Sequence, residues 1–264
     1  MKDLSRFSTV FAGLVIATLG GIAPRATAEV KLDAVEYKAG DTKLKGWIAY
    51  DDDVKGKRPG VIVVHEWWGL NDYAKTRARM LAEAGYVAFA ADMYGDGKQT
   101  EHPKEAGEWA GAAAPTTRCR SSLQRGTRPA QREFPRRSRA HCRHRLLLRR
   151  FSGAGMAMSG ADLDGVVTFH AGLPTAPATG NIKAKILVCH GAADEMATAE
   201  QIETFQKNLA AAGADWEFIS YGNAKHGFTN PDADKHGIPG LAYNKEADKR
   251  SWKTALDFLA EATK

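Results

Sequence analysis

Residues 60–95 read GVIVVHEWWGLNDYAKTRARMLAEAGYVAFAADMYG. The apolar run Val61-Ile62-Val63-Val64 follows Arg58-Pro59 and stops at His65, which suits a short strand buried on both faces. Asn71 is placed to cap a helix running to Gly85, a glycine just past the last turn. Tyr86–Ala91 (YVAFAA) is the next buried strand, ending in Asp92-Met93-Tyr94-Gly95. A strand, a capped helix and a second strand, both strands apolar, are the repeating unit of an α/β fold.

The same alternation continues on either side. Upstream, Val30–Lys38 and Lys43–Tyr50 alternate apolar and polar residues around Ala39-Gly40-Asp41 and predict an antiparallel hairpin. Downstream, Glu101–Ala114 is helix-like, and Asp164–His170 and Lys185–His190 are further strands. Ala197–Gly213 carries helical spacing at Ile202, Phe205 and Leu209, and Asp215–Tyr221 is a last strand. Lys245–Ala262 is an amphipathic helix with Trp252, Leu256 and Leu259 on one face. The expected architecture is a mostly parallel central sheet with helices on both faces.

The chain has 264 residues, 44% hydrophobic and 26% charged, enough for one sizeable core and too apolar for a disordered class. Three cysteines are too few for a disulfide scaffold. At the N-terminus, Lys2 and Arg6 precede a mostly apolar stretch from Phe7 to Ile22, and Ala26-Thr27-Ala28 supplies a cleavage pattern. These three regions in order predict a signal peptide over 1–28, leaving Glu29 first in an exported chain, periplasmic or secreted. The apolar run is shorter than the roughly 18 to 20 residues of a membrane span. The mature part, 29–264, reads as a single domain, expected to be a monomer.

The net charge of +6 misleads until it is located. Residues 115–150 hold 12 Arg, no Lys and one acid, Glu133, while the remainder holds 25 Lys and Arg against 30 Asp and Glu. The basic character therefore belongs to one short block and the rest of the chain is mildly acidic. Such a block suggests a nucleic-acid arm. Only Phe134 offers an aromatic within it, and an export signal precedes it, so no nucleic-acid partner is expected.

Open α/β sheets place their sites at the carboxyl ends of strands. Three such ends carry reactive residues: His65-Glu66-Trp67-Trp68-Gly69, His190-Gly191-Ala192-Ala193-Asp194 and Lys225-His226-Gly227-Phe228. An acid after one strand and a histidine after the last is the chain order of a hydrolase triad whose nucleophile lies upstream. In that reading Asp194 orients His226, His226 is general base and then acid, and the backbone N–H of Trp67 is an oxyanion donor. Singly, Asp194 is equally readable as a helix cap, and His226 as a surface loop histidine. His65, His170 and His190 also end strands and read as supporting or core residues. Trp67-Trp68 suits either a pocket wall or core. Cys189 sits mid-strand and reads as a buried structural thiol. With no H-E-x-x-H or C-x-x-C, neither a metal nor a cofactor is expected.

The runs VIVVHEWWGLNDYAKTRARMLAEAGYVAFAADMYG, GADLDGVVTFHAGLPT, ILVCHGAADEM and ISYGNAKHGFTNPDA resemble the dienelactone hydrolase family, across roughly 30–114 and 155–264. The resemblance implies an α/β-hydrolase fold and a small ester or lactone substrate, as for a carboxymethylenebutenolidase. It implies a Cys-His-Asp triad in which Asp194 and His226 are the acid and base. Glu66 matches the glutamate beside the nucleophile that helps generate the thiolate. A cationic contact to substrate falls near Tyr94–Lys98.

The family's cysteine sits in a G-x-C-x-G-G elbow, and neither Cys119 nor Cys142 has that setting. Where the elbow belongs, the chain reads His144-Arg145-Leu146-Leu147-Leu148-Arg149-Arg150. Histidine codons are CAY, and arginine and leucine can use CGN and CTN. Displaced by one nucleotide they read AYC GNC TNC TNC TNC GNC GN, which ATC GGC TAC TGC TTC GGC GG satisfies. That spells Ile-Gly-Tyr-Cys-Phe-Gly-Gly, the complete elbow. Residues 115–152 are therefore read as frame-displaced, with the cysteine expected at Leu147 and the frame restored by Met156. Ser152, in Phe151-Ser152-Gly153, is the one substitute nucleophile, but Arg150 stands where an elbow needs glycine. The chain as written is then an impaired hydrolase. The alternative is a non-catalytic exported binding protein of the same fold.

Overall fold

A computed structural model describes residues 30–113, 145–148 and 153–264. The predicted signal peptide, Cys119, Cys142, Ser152 and most of the Arg-rich block lie outside the described residues.

The strands are β1 (Val30–Ala39), β2 (Thr42–Asp51), β3 (Gly60–Val64), β4 (Val87–Ala91), β5 (Arg145–Leu148), β6 (Gly165–Phe169), β7 (Lys185–Gly191) and β8 (Trp216–Tyr221). They form one sheet in the order β1-β2-β4-β3-β5-β6-β7-β8. β1 and β2 are the expected hairpin, turning at Gly40-Asp41, and β2 meets β4 antiparallel. Every pairing from β4 onward is parallel. The helices are α1 (Asp72–Glu83), α2 (Pro103–Ala113), α3 (Gly153–Met158), α4 (Ala199–Ala211) and α5 (Lys245–Ala262).

Strand alternation explains how both faces are covered. Val61 and Val63 point to one face, where they share a core with Ala74, Ala78 and Leu81 of α1 and Ala255 and Leu259 of α5. Ile62 and Val64 point to the other, packed with Ala157 and Met158 of α3 and Phe205 and Leu209 of α4. A run apolar at every position is therefore what a strand between two helical layers requires. Each of the buried Val, Ile, Leu, Phe and Met side chains contributes about 1.5–3 kcal/mol relative to exposure, and the alanines less.

Caps set the helix limits as expected. The Asn71 side chain accepts from the Ala74 N–H at 3.4 Å, and Gly85 lies two residues beyond the last helical residue, Glu83. Thr198 caps α4 and exchanges hydrogen bonds with Gln201, a reciprocal capping box. β5 runs in register between β3 and β6, with Leu147 opposite Ile62 and Val166. The predicted nucleophile position is thus inside the strand, and residues 149–152 lie outside the described residues.

Candidate active site

The ends of β7 and β8 are stitched together before either delivers a side chain. Ala192 N–H donates to Tyr221 O and Ala193 N–H to Ala224 O, both at 2.9 Å. This closeness depends on Gly191, where a Cβ would stand 2.4 Å from the Ala224 carbonyl oxygen. The loop after β8 is pinned in turn by His226 N–H to Gly240 O and by Ala242 N–H to His226 O. Phe228, wholly buried, anchors its far side.

These loops bring Asp194 and His226 together. His226 Nδ1 lies 2.7 Å from Asp194 Oδ2, and both residues are buried. The other carboxylate oxygen accepts from the Met196 N–H at 2.9 Å. Burial opposes ionisation of Asp194, but the hydrogen bond and charge of His226, with the Met196 N–H, hold its carboxyl below the ordinary value. The cap of α4 is Thr198, so Asp194 is not a helix cap, and His226, 3% exposed, is no surface histidine.

Glu66 enters from the loop after β3. Its Oε2 accepts from Asn230 Nδ2 at 2.7 Å, and its Oε1 lies 3.6 Å from His170 Nε2. His170, at the end of β6, has φ +37°, a strained conformation for a residue with a side chain. Its Nε2 is 2.8 Å from Thr229 Oγ1, and its ring centroid is 5.4 Å from that of His226. Asn230 and Thr229 are thus partners that sequence reading missed. The available signal was their position three and four residues after His226, in an otherwise apolar turn.

His65 is engaged by backbone: Nδ1 donates to Glu66 O at 2.6 Å, and Nε2 accepts from Met93 N–H at 3.1 Å. That fixes its tautomer and makes it a brace for the loop. His190 is buried beside Phe218, and desolvation lowers its pKa. Cys189 is buried in the sheet, which pushes its thiol up to about 12. Trp68 fills core, stacked on His236 at 3.7 Å, whereas Trp67 is half-buried. The turn after Trp68 runs so close to Lys98 that a Cβ on Gly69 would stand 2.1 Å from its carbonyl oxygen.

The Tyr94–Lys98 stretch hangs on Asp92. That buried carboxylate accepts four backbone N–H groups: Tyr94 and Gly95 at 2.9 Å, Gly97 at 2.8 Å and Lys45 at 3.0 Å. Tyr94 then donates its hydroxyl to Trp67 O at 3.1 Å and packs edge-on against Trp109. Among the described residues no cluster of side chains is suited to a metal ion, and no helix is long and apolar enough to cross a membrane.

Residues 44–263 match the model of the dienelactone hydrolase family. A putative carboxymethylenebutenolidase of Aquifex aeolicus is 27% identical over 238 residues, 85% of this chain and 96% of its own. The chain spans about half of another relative, an uncharacterized protein of Caenorhabditis elegans, 40% identical over 77 residues, 29% of this chain and 49% of that one. Among solved structures, a dienelactone hydrolase-like promiscuous phosphotriesterase from metagenomic libraries superposes with a TM-score of 0.80 at 35% identity. That alignment covers 88% of this chain and 98% of the other. The fold is that of the α/β hydrolases, as the sequence led us to expect.

Proposed function

The chain belongs to the dienelactone hydrolase family, and from that premise we propose that its site is built to hydrolyse small esters or lactones, of the carboxymethylenebutenolidase type. The observation that carries this reading is the buried 2.7 Å contact between His226 Nδ1 and Asp194 Oδ2, with the carboxylate of Glu66 linked to it through His170.

In a chain carrying the displaced-frame elbow, the cysteine thiolate adds to the ester carbonyl carbon. The Trp67 N–H and the N–H following the cysteine hold the oxyanion, each donor worth about 3 kcal/mol of barrier. The intermediate collapses, the C–O bond to the alcohol breaks, and His226 supplies the proton to the departing oxygen. His226 then takes a proton from water, whose oxygen attacks the thioester and releases the acid with the thiolate restored. Asp194 stabilises the imidazolium at both stages. The proton that His226 gives to the departing oxygen is the one it took from the thiol when the thiolate formed, and Glu66 assists that step from beside the nucleophile.

Export through the predicted signal peptide belongs to the same proposal, with the chain acting as a monomer in the periplasm or outside the cell. The Arg-rich block is read as displaced-frame text and not as a nucleic-acid surface. A second reading, a binding protein that no longer turns over, is favoured by one observation: Leu147 lies in β5 where the nucleophile is expected. The test compares the chain as written with one whose 115–152 segment follows the displaced frame, on p-nitrophenyl acetate, a five-membered enol lactone and a phosphotriester. Ester or lactone hydrolysis by the restored chain alone supports the first reading. A restored chain that is folded and inert on all three overturns it.

A further inference from the structure

Thr229 stands between Phe228 and Asn230 in the loop that begins at His226, and it is gripped at two atoms. Its carbonyl oxygen accepts from the Arg77 guanidinium at 2.6 Å. Its hydroxyl lies 2.6 Å from the Tyr73 hydroxyl and 2.8 Å from His170 Nε2. Tyr73 and Arg77 both belong to α1, which contributes no group to the proposed chemistry.

Arg77 is 6% exposed, an unusual setting for a guanidinium. It is held there by Asp248 Oδ1 of α5 at 2.5 Å and by the ring faces of Trp252 and Tyr73, 5.0 and 5.2 Å from its central carbon. Asp248 also accepts from the Tyr243 hydroxyl at 3.2 Å. Burial works to lower the pKa of Arg77, but Tyr73 and Asp248 outweigh it and raise the value, so the group stays charged. A chain of polar contacts thus runs from α5 through Arg77 and Thr229 to His170, 3.6 Å from Glu66.

We propose that Arg77 is a positioning residue: through Thr229 it sets the seat of the 226–230 loop, and with it the His226–Asp194 and Asn230–Glu66 hydrogen bonds. The importance of the device rests on the hydrolase reading, but its geometry is measurable without turnover. A residue that merely joins α1 to α5 would, when replaced, lower stability and leave the loop's hydrogen bonds intact.

The experiment uses the full chain. The proton shared by His226 Nδ1 and Asp194 gives a low-field proton resonance in NMR, assigned by its loss in His226→Gln. In Arg77→Met the resonance is expected to move upfield or broaden away, and in Arg77→Lys to recover in part. Leu81→Ala, fully buried on the same helix within the apolar core, lowers stability without moving it. Should Arg77→Met not fold, Tyr73→Phe and Asp248→Asn are read in the same way. A resonance unchanged in position and exchange rate in the folded Arg77 variant, or in both of these if it does not fold, overturns the proposal. A responsive resonance in a chain whose elbow-restored form is inert would sink the hydrolase reading and leave the positioning role standing.

Discussion

Asn230 donates its side-chain amide to Glu66 Oε2 at 2.7 Å, joining two loops 164 residues apart in the chain. Hydrogen bonds to a charged group are worth about 1.5–3 kcal/mol, so Asn230→Ala is expected to cost stability in that range. Asn230→Asp should cost more at neutral pH, because it sets a second carboxylate against a buried first. Mild acidification should then recover part of the loss, as one carboxyl takes a proton. Urea titrations of both variants at pH 7 and pH 5 check this, and equal losses at the two pH values for Asn230→Asp would count against it.

Asp194 carries a pH signature of defined sign. Its carboxyl is held below the ordinary value in the folded chain, so its contribution is present above the unfolded value, about 4, and fades as pH falls through the folded value. Asp194→Asn should therefore destabilise the chain near pH 7 and make little difference well below pH 3. Thermal unfolding across that range measures the convergence.

His190 has the same sign of proton linkage as Asp194, in a higher pH window. Its buried ring is held neutral, so the unfolded chain takes up protons first as pH falls below about 6.5. Stability should decline through that window, and His190→Gln should shallow the slope. An unaltered slope would show that other groups set it.

Cys189 should be chemically silent in the folded chain. Its thiol is pushed up to about 12 by burial, so almost no thiolate exists at pH 8. Iodoacetamide followed by peptide mapping should find Cys189 unmodified under native conditions and fully modified in urea. Native labelling at a rate comparable to free thiol would contradict the burial that the sheet gives it.

Restoring the displaced-frame residues across 115–152 should raise the melting temperature as well as confer turnover. β5 sits between β3 and β6, whose neighbouring residues Ile62, Val63, Val166 and Val167 are buried and apolar. A strand there needs an apolar run along its length, and in the chain as written arginines stand on either side of the three leucines, Arg145 before them and Arg149-Arg150 after. Differential scanning calorimetry of the written and restored chains tests this, and equal transitions would argue that the written segment already suits the gap.

Much of the architecture was readable because local signals agreed with one another. The Val61–Val64 run, the Asn71 cap and Gly85 specify β3 and α1 without reference to anything distant, and α5 begins and ends where its amphipathic pattern does. The pairing of Asp194 with His226 was legible through their order at strand ends. The partners of Glu66 were not. Asn230 and His170 reach it only because β3, β6 and the loop after β8 converge, and no spacing in the chain encodes that meeting. The same holds for Arg77, which no local pattern singles out and which is buried against Asp248 of α5.

The four N–H groups gathered by Asp92 have a consequence for engineering. Residues 94–97 are held by the Asp92 carboxylate, by the Asp96 N–H on the Lys43 carbonyl and by the Tyr94 hydroxyl on the Trp67 carbonyl, few enough attachments that the tip of that segment behaves as an exchangeable cassette. Provided the aspartate and the two glycines that reach it are retained, Lys98 can be diversified, whereas Asp96, at φ +52°, suits only residues that tolerate the left-handed region. The sheet beneath need not be rebuilt.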